Sequence, residues 1–136
     1  MKNYEILEHK ADLKIKVFGN TKEELFMNAL LAMIDSMNPE INNRDVETDR
    51  SIKVESLDLS SLLVDFLSEV LYLSQTNSEA YFKVKFSKFE DTGLVGEISG
   101  NKAERFGEDI KAVTFHGLNI ILSEKEIWEA VIIFDI

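Results

Sequence analysis

The chain opens with a short mixed segment, Tyr4–His9, which reads as a strand or an extended lead-in. Asp12–Gly19 then alternates, with Leu13, Ile15 and Val17 on one side and Lys14 and Lys16 on the other. A period of two with one wet face predicts a half-buried antiparallel strand. Gly19-Asn20 supplies turn chemistry. Thr21 and Glu24 form a T-x-x-E capping box that opens a helix. Leu25, Ala29, Ala32 and Met33 recur at helical spacing, with Leu30 and Ile34 widening the stripe, and the helix is predicted to end near Met37-Asn38-Pro39.

Residues 40–50 are polar and read as a loop, followed by a short strand at Ile52-Lys53-Val54. Asp58 or Ser60 caps a second helix predicted to reach about Ser74, with Leu62, Leu63, Phe66, Val70 and Leu73 on its buried face. Gln75-Thr76-Asn77-Ser78 reads as a polar loop. From Ala80 the pattern turns to strands: residues 81–86 alternate, and residues 89–94 mark a hairpin turn into residues 95–98. Residues 100–109 read as a polar loop with two glycines, and residues 112–115, 118–122 and 128–134 complete the strands. No repeat, low-complexity tract or linker interrupts the pattern. The expectation is one α+β domain spanning residues 1–136, two helices packed on a largely antiparallel sheet.

Composition narrows what such a domain does. The 136 residues are 45% hydrophobic and 29% charged, the balance of an ordinary globular domain. Twenty-five Asp and Glu against 15 Lys and Arg leave a net charge of −10. Tight general nucleic-acid binding is not expected, because phosphate binding relies on clustered cations. The charge suits a basic protein partner or a cation site. There is no cysteine, which excludes disulfides, thiolate metal sites and cysteine nucleophiles and fits a reducing cytoplasm. Met1-Lys2-Asn3-Tyr4-Glu5 leads into mixed residues rather than an apolar core, and no apolar stretch approaches the ~20 residues of a membrane helix. A cytoplasmic location, with no membrane partner, is the expectation.

Three places carry candidate chemistry. Glu8-His9-Lys10-Ala11-Asp12 sets a histidine and two carboxylates just before a strand, and Lys111-Ala112-Val113-Thr114-Phe115-His116 holds the other histidine. Val131-Ile132-Ile133-Phe134 is an apolar strand ending in Asp135-Ile136, so Asp135 and the main-chain carboxylate of Ile136 put two anions one residue apart. If strand pairing brings Asp12 alongside, three carboxylate groups converge. Such a hard-oxygen cluster suits Ca²⁺ or Mg²⁺. Taken singly each residue has an ordinary role: Asp12 as a turn cap, His9 and His116 as hydrogen-bonded structural histidines, Lys111 as a solvated strand lysine. Asp65 and Glu69, four apart on the second helix, read as a solvated pair. No nucleophilic triad is visible, and Gly96-Glu97-Ile98-Ser99-Gly100 lacks the Gly-Lys-Ser/Thr ending of a phosphate loop.

Together these features resemble the archease family. Glu8-His9-Lys10-Ala11-Asp12-Leu13 is similar to its E-H-x-A-D-[IL] signature, and residues 21–26 to its T-x-E-E-L-F helix start. Leu62-Leu63-Val64-Asp65-Phe66-Leu67 is similar to its L-L-V-x-[WF]-L run, residues 110–116 to its I-K-A-V-T-[YF]-H motif, and Asp135-Ile136 to its terminal Asp-[ILV]. Lys10 stands where the signature more often has Thr, Lys14 where it often has Gly, and Phe106 follows Arg105 where many members have His. The resemblance implies a non-enzymatic accessory protein. It would assist the RNA ligase that joins tRNA halves, promoting guanylylation of the ligase's active-site histidine and repeated turnover. It also implies a divalent metal, Ca²⁺, held by Asp12, Asp135 and the carboxylate of Ile136, and leaves His9, Lys111 and His116 as candidates for partner contact. A metal-dependent hydrolase and a general chaperone-like binder are the alternatives.

Overall fold

In the computed structural model, residues 3–9, 12–114 and 118–136 are described, and the side chains of Glu8 and His9 lie outside that description. Among the described residues, ten strands and two helices follow one another as β1 (Tyr4–His9), β2 (Asp12–Gly19), α1 (Lys22–Met37), β3 (Pro39–Glu40), β4 (Glu47–Glu55), α2 (Leu59–Asn77), β5 (Glu79–Glu90), β6 (Gly93–Lys102), β7 (Arg105–Phe106), β8 (Ala112–Thr114), β9 (Ile121–Leu122) and β10 (Trp128–Asp135). The α+β expectation holds, with all the pairings antiparallel. The strands form three sheets rather than one: β1-β2-β10-β8 with β9 also on β10, β4-β6-β5, and the small pair β3-β7.

α1 begins as its sequence dictates. Thr21 Oγ1 accepts from the Glu24 backbone N–H at 3.0 Å, and Glu24 Oε1 accepts from the Asn20 N–H at 3.0 Å. The return bond thus goes one residue outside the usual capping box. Leu25, Phe26, Ala29, Leu30, Ala32, Met33 and Ile34 are all fully buried, a wider apolar surface than one stripe. The reason is position: α1 contacts β2 and β10 of one sheet and β5 of the other, and a helix apolar on most sides belongs between layers. Asn28, itself buried, fastens the arrangement by donating from Nδ2 to the Phe18 carbonyl at 2.7 Å. Between α1, α2 and β5, the rings of Phe26, Phe66, Phe86 and Phe89 pack with centroids 4.9–6.5 Å apart.

Several boundaries differ from the sequence pattern. Within residues 40–50, β3 takes Glu40 and β4 starts at Glu47, so Ile52-Lys53-Val54 is the apolar end of a nine-residue strand. Asp58 caps α2, which runs through Gln75, Thr76 and Asn77 to a left-handed Ser78. Within residues 100–109, β6 continues to Lys102 and β7 pairs with β3, Arg105 meeting Glu40 at 2.5 Å. Gly100 sits opposite Tyr81 where β5 presses on β6, and a Cβ there would lie 1.8 Å from the Ala80 carbonyl oxygen.

Candidate metal and partner site

The candidate site is built by the register of two neighbouring strands. β2 and β10 pair so that Leu13 faces Phe134 and Asp12 faces Asp135. Leu13 is 3% exposed and Phe134 fully buried, so strand alternation turns Asp12 and Asp135 to the other, outer side, where both are exposed. The apolar pair therefore fixes the acidic one, since a one-residue slip of either strand would turn that strand's carboxylate into the core. Directly opposed residues carry Cβ atoms about 5 Å apart, and like charges so placed repel. The sequence raised this juxtaposition only as a condition on strand pairing. The structure meets the condition.

Asp135 is held from its other side as well. Ala112 of β8 lies opposite it, and the Lys111 backbone N–H donates to the Asp135 carbonyl at 2.7 Å. Lys111 is exposed, immediately before β8, and Lys14 follows on the same outer side of β2, opposite Ile133. Ile136 is half-buried against the core. Among the described residues no three His, Cys, Asp or Glu side chains are grouped as a metal-binding set. The donors that the structure places on this edge are the two side-chain carboxylates of Asp12 and Asp135. Their chemistry fits a hard divalent cation, because every donor is an anionic oxygen. His9 pairs by its backbone with Leu13, beside Asp12, while its side chain and all of His116 lie outside the described residues.

One contributor was hidden in the sequence. Gln75, read as a loop residue, lies in the last turn of α2 and donates from Nε2 to the Ile110 carbonyl at 2.8 Å. It thereby ties α2 to the segment that carries Lys111. Asp65 and Glu69 do not form a site: Asp65 is exposed and accepts from Ser56 Oγ at 2.5 Å. Gly96 to Gly100 lies inside β6. No helix among the described residues is long and apolar enough to cross a membrane.

The model of the archease protein family matches residues 4–136. The chain belongs to the archease family. Its relatives include the archease of Methanosarcina mazei, 40% identical across 99% of this chain and 97% of that one. The Pyrococcus furiosus archease is 34% identical over the whole of both. Among solved structures, the chain is similar to a Methanobacterium thermoautotrophicum protein in solution, with TM-score 0.70 and 32% identity over the whole of both chains. The crystal structure of a Thermotoga maritima archease, described as a possible chaperone, shares the fold with TM-score 0.69 at 20% identity, over 97% of this chain and 96% of that one.

Proposed function

We propose that this chain is an accessory protein, not an enzyme, that activates the RNA ligase joining tRNA halves by promoting guanylylation of the ligase's active-site histidine. In the same reading Asp12, Asp135 and the main-chain carboxylate of Ile136 hold a Ca²⁺ ion. The observation that carries the reading is the Asp12–Asp135 register, which sets two exposed acidic residues opposite one another on neighbouring strands. Asp12 and Asp135 would hold the cation, which would supply the positive charge that neighbouring carboxylates call for. The protein's own part is to hold that acidic edge rigid: Leu13 and Phe134 fix the register, and the Lys111 N–H clamps Asp135. Lys111, exposed at the rim, offers a cation to the ligase surface or orients the acidic edge. A net charge of −10 favours encounter with a basic, RNA-binding partner.

Covalent attachment of GMP to the ligase, followed with and without this protein, tests the reading. Faster guanylylation in its presence is the expected result. Identical time courses would contradict it.

A further inference from the structure

A second surface stands apart from the acidic edge. Leu57 is 92% exposed, the most exposed large apolar side chain among the described residues. The backbone on both sides of it is anchored. The preceding Ser56 donates its N–H to the Thr92 carbonyl at 2.9 Å and its hydroxyl to Asp65, and the following Asp58 caps α2 by accepting from the Ser61 N–H at 2.8 Å. Beside Leu57 a groove of about 630 Å³ opens between the end of β4 and the first turns of α2, floored by Val64. Glu55 and Asp65 line it, and among the described residues no Lys, Arg or His does. Lys53 reaches Glu55 only at 3.8 Å, with both side chains more than two-thirds exposed.

An apolar side chain carried in water on an anchored turn, beside anionic walls, matches one kind of occupant, an apolar residue flanked by Lys or Arg. We propose that this groove docks such a segment on the basic surface of the RNA ligase. The partner's identity rests on the reading above. An enzyme that holds RNA phosphates carries clustered cations, which suits these carboxylates. A second copy of this chain would bring the same acidic rim and be repelled. The groove and the Asp12–Asp135 edge lie toward opposite ends of α2. Gln75, which bonds the residue before Lys111, is ten residues beyond Asp65 and seventeen beyond Asp58, or roughly 15–25 Å along the helix. Docking and activation are therefore separable.

Ligation by limiting ligase is measured against increasing concentrations of the parent protein, Leu57→Asp, Glu55→Lys and Asp12→Asn. Leu57 touches so little of the fold that Leu57→Asp keeps the parental melting curve. Replacing one docked leucine should raise the half-activating concentration about tenfold or more, with excess protein restoring turnover. Glu55→Lys should raise it too and flatten its salt dependence. Asp12→Asn should lower the plateau without moving the midpoint. Parental midpoints for Leu57→Asp and Glu55→Lys, with the parent active, would overturn the groove and leave the activator reading standing. A parent that activates nothing would overturn that reading and, with it, the ligase as occupant. Self-association of the parent that Leu57→Asp abolishes would overturn the proposal in favour of a second copy.

Discussion

Replacing Glu79 with alanine is predicted to cost the fold about 2–3 kcal/mol, and the structure says where the loss arises. The Glu79 side chain is 5% exposed, accepts from Arg50 Nε at 2.9 Å and Nη2 at 3.1 Å, and accepts from the Tyr81 hydroxyl at 2.6 Å. Tyr81 is fully buried. Glu79→Ala removes the acceptor of that hydroxyl's proton and leaves its oxygen the bonds from Arg50 and Asn77; a buried donor so unmatched costs about 1–3 kcal/mol. The Arg50 bonds add less, because its side chain is 40% exposed and regains water. In thermal melts the midpoint should fall by about 10 °C. Glu79→Ala combined with Tyr81→Phe should recover part of the loss, since the unmatched donor is then gone. The effect also depends on pH in a fixed direction. Arg50's hydrogen bonds hold the Glu79 carboxyl below its ordinary range, against the opposing push of burial. A lowered native value contributes stability that is complete above the unfolded value, about 4.3, and is lost as the pH falls through the native one. The gap between parent and Glu79→Ala should therefore narrow from pH 7 towards pH 3. A gap that stays constant or widens on acidification, or a double variant no more stable than Glu79→Ala, would refute the reasoning.

Three predictions concern the acidic edge. Asp12→Asn and Asp135→Asn should each lose Ca²⁺ binding in titration calorimetry while far-UV circular dichroism stays parental; equal affinity in all three proteins would remove these residues from the site. Appending residues after Ile136 turns its carboxylate into a neutral amide, so a C-terminal tag should abolish Ca²⁺ binding where an N-terminal tag does not, and equal titrations would discharge Ile136 as a ligand. Lys111→Ala, at an exposed position, should change stability by no more than about 0.5 kcal/mol yet activate the ligase less; full activation would return Lys111 to a solvated strand residue.

The elements that the sequence revealed are those whose local pattern and burial agree. β2 was legible because Leu13, Ile15 and Val17 face the core while the lysines between them stay wetter, and α1 because its cap and apolar spacing coincide. β4 was half legible. Its first five residues are polar and mostly exposed, and only pairing with residues 97–101 of β6 makes them a strand. α2 overran its expected end because Ser74, polar in sequence, is buried and donates to the Glu79 carbonyl. At the site, two carboxylates near the ends of two strands were visible, but their facing register depends on packing between residues more than a hundred positions apart. Gln75 gave no local signal at all, since its partner lies 35 residues away.

The most direct test is multiple-turnover ligation of tRNA halves with ligase limiting, measured as product formed per ligase molecule. The parent protein should carry product well beyond one per ligase, and Asp12→Asn should not. The same product with and without the parent protein would contradict the account.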